Sequence, residues 1–450
     1  MLYILLSLLI FGVLIFVHEL GHFLAARACG VEILEFAIGM GPKLISWTSK
    51  KSGTKYSLRL FPIGGFVSML GEDGMEAVQG SSDEKKTRDL LINEVEDEKQ
   101  DAPKEIDPER AKHAYCNQNV WKRIFISIAG PFMNVFLGFV LMLVMVLSAG
   151  HTAVGTTQIG GFYVEYSAED AYVGMVQGDM LYAIDGERIY SSDQVRAMIE
   201  KKESKLFSVT VKRWQDNEIL TLEIPEVALD QETFSLRFTA SLSEQSGLRI
   251  FDEVTKVNNT SVHTYNELAY EIMNQGYKPL TLTVLRDGEK VVLENVIVPS
   301  YVDSGVTFGD IDFIPMREAK FDFVTVMKHT WFRSVSTVKM VFDSLFGLFS
   351  GRYGVEAVSG PVGITKTISD AAKTGMMSVL YLVTVISINL GVMNLLPIPA
   401  LDGGHLLLYV IEVIRRKPVK REVEGIINFV GLVLMLALAV IIAIKDIISL

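Results

Sequence analysis

Residues 2–22 read Leu-Tyr-Ile-Leu-Leu-Ser-Leu-Leu-Ile-Phe-Gly-Val-Leu-Ile-Phe-Val-His-Glu-Leu-Gly-His. No charge occurs through Val17; then His18, Glu19 and His22 interrupt the run. About 20 apolar residues suffice to cross roughly 30 Å of hydrocarbon as a helix, so a membrane span is predicted over residues 1–26. In a helix, positions i and i+4 share a face. His18 and His22 can therefore offer two imidazoles to one metal, and Glu19, one step round, can hold a water at an open coordination position. Ionisable groups inside a membrane helix are costly and point to function. At roughly 1.5 Å per residue, His18 lies about 24 Å along the helix, within the membrane and far from the N-terminus. No Lys or Arg precedes Arg27, and Arg27 occupies the would-be signal-peptide cleavage site, so this span is expected to stay in the mature protein.

Three further charge-free runs follow, of 24 residues at 124–147, 21 at 376–396 and 19 at 426–444. The mean hydropathy of +0.32 reflects these stretches set against polar ones. That pattern excludes a purely soluble enzyme and a disordered chain. With 42 basic against 53 acidic residues the net charge is −11, which speaks against nucleic acid as a partner. Basic residues near span ends mark the cytoplasmic side: Arg27 and Lys43 after the first span, Lys122 and Arg123 before the second, and Arg415, Arg416, Lys417, Lys420 and Arg421 between the third and fourth. Both termini and the long segment between the second and third spans are then expected outside. Cys29 and Cys116, the two cysteines, fall on the reducing side, and no disulfide is expected.

Residues 32–70 alternate like two strands around a turn at Ser52-Gly53-Thr54, the second containing Phe61-Pro62-Ile63-Gly64-Gly65-Phe66. Residues 72–112 are dense in Asp, Glu and Lys and read as a solvated insertion. Between the second and third spans lies an internal repeat. Residues 174–213 align on 247–286 at a constant offset of 73, with Gly174/Gly247, Asp179/Asp252, Ile199/Ile272, Thr210/Thr283, Val211/Val284 and Arg213/Arg286 identical. That period is too long for a solenoid and suits two small duplicated domains. The pattern of Gly, Asp, short strand, turn and helix resembles bacterial protease-associated PDZ domains, which bind peptide ends by strand addition. Apolar residues from Phe323 to Phe349 then recur at helical spacing, interrupted by Lys328, Arg333 and Lys339, as in a helix lying on a membrane surface or packing against the repeats.

A metal site of this kind needs a third protein ligand. Leu401-Asp402-Gly403-Gly404-His405 follows the third span at the cytoplasmic end. By residue type Asp402 and His405 are equal candidates, and the two glycines are expected to let the backbone approach the metal. His113, His151, His263 and His329 have no paired spacing.

The HELGH helix, Gly130-Pro131-Phe132-Met133-Asn134 in the second span, the outer repeats, and Asn389 with Asn394-Leu395-Leu396-Pro397-Ile398-Pro399-Ala400-Leu401-Asp402-Gly403-Gly404-His405 together resemble the site-2 intramembrane metalloproteases, nearest the bacterial branch that cleaves anti-sigma factors. The resemblance implies a zinc endopeptidase with Glu19 as general base and His18, His22 and Asp402 as ligands. It implies a substrate groove shaped by Asn389, Asn394, Pro397 and Pro399, and by Gly64, Gly65 and Phe66 on a re-entrant hairpin that pairs with substrate. The fold expected is a polytopic α-helical membrane protein with four transmembrane helices, a membrane-associated β-hairpin on the cytoplasmic side and two extracytoplasmic PDZ-like α+β domains. Its parts run as span 1–26, hairpin region 27–71, acidic insertion 72–115, span 122–149, PDZ-like copies 158–228 and 233–300, amphipathic helix 319–350, span with the LDGGH segment 376–411, and span 425–446. The implied setting is a bacterial cytoplasmic membrane, with a single-span substrate already trimmed by an upstream site-1 protease and the lipid bilayer as further partner. The competing readings are a non-proteolytic PDZ membrane scaffold, against which the intact Glu19 argues, and a metal transporter, which would need more polar residues along the spans. The repeats are expected to act as a size filter, with peptide-end binding as the alternative.

Overall fold

The computed structural model describes residues 2–72, 108–162, 180–189, 198, 206–212, 219–225, 242–276, 278–303, 306–352, 358–419 and 421–448. Most of the acidic insertion, and most of the loops and the helix expected in the first copy, lie outside these. Among the described residues, the helices of eleven residues or more are α1 (Leu2–Ala28), α2 (Val120–Ala149), α3 (Tyr265–Gln275), α4 (Phe323–Phe349), α5 (Pro361–Thr374), α6 (Met376–Leu395), α7 (Asp402–Arg415) and α8 (Arg421–Ile448). Four of them, α1, α2, α6 and α8, are long and apolar enough to cross a membrane, and they coincide with the four predicted spans. The chain forms two units: residues 1–141 with 358–450, and residues 142–357.

In the first unit α2 packs closely on both α1 and α6 because glycine stands at the contacts. A Cβ on Gly21 would come 2.3 Å from the Ala129 carbonyl oxygen, and one on Gly391 would come 2.7 Å from that of Pro131. Small residues are how membrane helices gain contact where no hydrophobic drive exists between them. Strands β1 (Ile33–Thr48) and β2 (Lys55–Met69) form the predicted hairpin, folded over on itself. Phe36 pairs with both Val67 and Tyr56, and Tyr56 also pairs with Trp47. The rows therefore run 65–69, 33–38, 55–59, 43–48. The fold-back uses Gly39 at φ +85, where a Cβ would strike the Phe61 carbonyl oxygen at 2.5 Å. Met40, Leu44, Ile45, Leu60 and Phe61 stay exposed near this bend. The root of the hairpin is buried: Phe36 and Val67 join Phe23 and Ala26 of α1, Ile126 of α2 and Tyr409 of α7 in one core.

Helix α5 was not foreseen, although Pro361 at its first position is a common helix start. Its N-cap, Gly360, has no side chain to satisfy the free amides. Asp446 near the end of α8 does so instead, accepting from the Gly360 and Gly363 N–H groups at 2.9 and 2.8 Å.

In the second unit one strand pattern occurs twice. β3 (Gly155–Phe162) comes first, then β4 (Met180–Ile184), β5 (Glu187–Arg188), β6 (Leu206–Lys212) and β7 (Ile219–Pro225), followed by β8 (Glu253–Val257), β9 (Thr260–Ser261), β10 (Leu280–Arg286) and β11 (Glu289–Val296). Strand order β5-β4-β6-β7 repeats as β9-β8-β10-β11. Leu181 faces Val211 and Ala183 faces Thr210, with a register shift between; Val254 faces Val284 and Lys256 faces Thr283, with the same shift. The hairpin β12 (Ser300–Asp303) with β13 (Val306–Gly309) and the strand β14 (Phe313–Arg317) complete the unit. Residue 158, expected to open the first copy, sits in β3, which instead joins the sheet of the second copy with Gln158 opposite Glu253, and then takes β14 on its other edge. The cause is burial: Ile159 and Phe162 fill the core formed by Val254, Leu268, Ile272 and Leu282.

Helix α4 packs against α3 on one side. Tyr270 of α3 donates to Asp343 at 2.7 Å and Lys339 pairs with Glu271. Val324, Trp331, Val335, Phe342, Phe346 and Phe349 remain exposed at helical spacing.

Candidate metal centre

His18 and His22 lie one turn apart on α1, each buried to 8% exposure. Their Nε2 atoms approach to 3.2 Å with rings nearly perpendicular. Asp402, the first residue of α7, places Oδ2 3.1 Å from His18 Nε2 and Oδ1 3.4 Å from His22 Nε2. Their candidate ligand atoms all lie within 4.8 Å of one another. Two imidazole nitrogens and one carboxylate from two helices, with no fourth protein donor among the described residues, fit a tetrahedral metal with one open position.

The surroundings fix the rings. His22 Nδ1 lies 2.8 Å from the Ile126 carbonyl oxygen on α2 and donates to it, which leaves Nε2 free to face the centre. Gly130 provides the floor: a Cβ there would lie 2.3 Å from His22 Nε2. Asn134 sits 3.2 Å from His18 Nδ1.

Glu19 points to the hairpin. A Cβ on Gly65 would stand 3.2 Å from Glu19 Cγ. Among the described residues the row 65–69 pairs with another strand on one side only, so a strand edge runs beside Glu19.

The other expected residues scatter more widely. His405, the rival to Asp402, faces α8 instead, with Nδ1 3.2 Å from Glu424 Oε1 and Asn428 near Nε2. A Cβ on Gly403 would stand 2.0 Å from the Leu396 carbonyl oxygen and one on Gly404 2.5 Å from that of Ile398, so they seat α7 against the 395–399 loop. Pro397 and Pro399 lie in that loop, Pro399 against Gly431 of α8. Asn394 is in the last turn of α6, Asn389 is exposed on the same helix, and Phe66 lies under Arg59 at 4.8 Å. Gly64, at φ +88, turns the chain into the edge row.

Sequence reasoning missed the frame that holds α7 in place. Arg123 of α2 pairs with Glu412 at 2.6 Å and lies over the Tyr409 ring at 4.9 Å, and Tyr409 hydrogen-bonds Tyr115 at 2.9 Å. Burial pushes the Tyr115 phenol up to about 12, which keeps it a neutral partner. No spacing rule links residues this far apart.

Comparison with known proteins identifies the family. The chain is similar to the "Regulator of sigma-W protease RasP" of Bacillus subtilis, 29% identical over 98% of this chain and 97% of that relative. It is similar to the "Zinc metalloprotease RasP" of Bacillus licheniformis, 28% identical over 98% and 97%, and to the "Probable protease eep" of Enterococcus faecalis, 27% identical over 98% and 97%. The model of peptidase family M50 matches residues 6–438. That match takes in His18 and His22 at one end and Asp402 near the other, and on it the chain belongs to peptidase family M50, the site-2 protease family.

Proposed function

We propose that the protein is a zinc-dependent endopeptidase that cuts single-span membrane proteins within the bilayer. The observation that carries this reading is the convergence of His18, His22 and Asp402 beside Glu19 and a free strand edge. Relatives named as zinc metalloproteases support the metal and the reaction class. His18, His22 and Asp402 would hold the zinc. When bound, zinc supplies Lewis-acid polarisation and makes a water acidic enough to lose its proton near neutral pH.

The chain's own residues do the rest. Glu19 takes a proton from the attacking water and later returns it to the leaving nitrogen. A transmembrane helix hides its carbonyls in its own hydrogen bonds and must be unwound before attack. The edge at Gly64, Gly65 and Phe66 offers backbone groups for an extended segment to pair with. Asn389 and Asn394 can satisfy groups freed in a medium without water, and Pro397 and Pro399 hold the neighbouring loop.

By the basic residues at the span ends, the centre lies near the cytoplasmic face, with both termini and the repeats outside. The name of the Bacillus subtilis relative makes an anti-sigma factor the substrate we favour, trimmed first by another protease in regulated intramembrane proteolysis. The two copies act as PDZ-like domains that exclude substrates with bulky outer domains. The test is cleavage of a model single-span substrate by purified protein, with and without chelator. Cleavage that chelator abolishes and zinc restores is expected; binding without cleavage, as a scaffold would give, overturns the reading.

A further inference from the structure

Asn134 is fully buried on α2, at 0% exposure. Its main-chain carbonyl accepts from Ser387 Oγ of α6 at 2.7 Å, which fixes this part of the helix. Its side-chain Nδ2 faces His18 Nδ1 at 3.2 Å, and its Oδ1 has no hydrogen-bond partner. A buried amide oxygen without a partner is costly, so its retention at this spot calls for a reason.

The chemistry of His18 supplies one. As arranged, the amide donates to Nδ1, so the ring proton sits on Nε2, 3.1 Å from Asp402 Oδ2. To give a lone pair to a metal, Nε2 must release that proton, and the neutral ring then carries it on Nδ1. Nδ1–H needs an acceptor, which an amide nitrogen cannot be. Turning the amide over brings Oδ1 to Nδ1 and gives up no other bond of Oδ1. His22 already has this arrangement through the Ile126 carbonyl oxygen. Ile126 and Asn134 lie on the same helix, about two turns apart, so α2 presents one acceptor to each histidine.

We infer that Asn134 is a positioning residue that selects the metal-binding tautomer of His18 by accepting its Nδ1–H through Oδ1. This rests on His18 being a zinc ligand. An amide serves either tautomer by turning over, so the same residue accommodates the empty and the loaded centre.

The experiment measures zinc affinity of the full chain in detergent by competition with a chromogenic chelator, and the visible spectrum of the cobalt-substituted protein. Asn134→Leu keeps the volume and removes the acceptor; Asn134→Asp keeps the acceptor. The leucine variant should lose about 10–100-fold in affinity, as outer partners of metal histidines do. The aspartate variant should stay within a few-fold of wild type and keep its cobalt bands. If Asn134→Leu does not fold, Asn134→Ala takes its place. Wild-type affinity in the variant lacking the acceptor overturns the inference, and so does equal weakening in both variants, which marks packing alone. Wild-type protein that binds no zinc removes instead the reading on which this one rests.

Discussion

Arg123 of α2 and Glu412 of α7 form an ion pair of 2.6 Å with both side chains largely buried. Asp402 is carried on the first turn of the same α7, so this pair ties the helix of a candidate ligand to α2, whose Gly130 lies against His22. Removing one partner leaves a buried charge alone, which costs more than the pair contributes. Glu412→Ala should destabilise the protein by about 1–3 kcal/mol and weaken zinc binding. Arg123→Met combined with Glu412→Leu should be less destabilised than the single changes summed. Denaturant unfolding in detergent measures both; strict additivity would show that the two groups are uncoupled.

Glu19→Gln should lower proteolysis by about 10²–10⁴-fold or more while zinc stays bound. Metal analysis of the purified variant checks this, and an apo protein would make Glu19 a ligand.

Asp402→Ala should weaken zinc binding, whereas His405→Ala should leave it near wild type, because His405 is engaged with Glu424. The reverse result would exchange the two assignments.

Gly130→Ala should be more damaging than its size suggests. The added methyl would occupy a point 2.3 Å from His22 Nε2, so the ring must leave its place. Overpacking of this kind costs about 1–3 kcal/mol, and zinc affinity should fall with it. A normal metal titration would show that α1 and α2 separate freely.

The size filter can be tested by deletion. β3 pairs with β14, so a cut inside either strand would break a sheet. Replacing residues 155–317 with a flexible linker removes that sheet as a whole, both strands included. Untrimmed substrates should then be cut, and trimmed ones cut as before. Unchanged selectivity in a folded, active enzyme would remove the filter, and loss of trimmed-substrate cleavage alone would make the domains recruiters.

What the sequence determined by itself is what depends on neighbours along the chain. An apolar run long enough for a bilayer is a local property, and so is the pairing of His18 with His22 on one helical face. The offset of 73 was legible along the chain, and the strands it relates share one register, down to the shift after Leu181 and after Val254.

The tertiary structure alone decided what depends on which faces meet. Asp402 and His405 lie within one turn of each other, so residue type could not separate them; the packing of α7 turns one toward α1 and the other toward α8. Gly403 and Gly404 were legible as close-approach residues, but what they approach, the 395–399 backbone, was not. β3 joins the second copy because Ile159 and Phe162 find their core there, a contact that sequence order conceals. Asn134 carries no signal as an acceptor for His18 until α1 and α2 are side by side. Local periodicity sets each element, but long-range contact chooses its partner, and the metal centre is built from such choices.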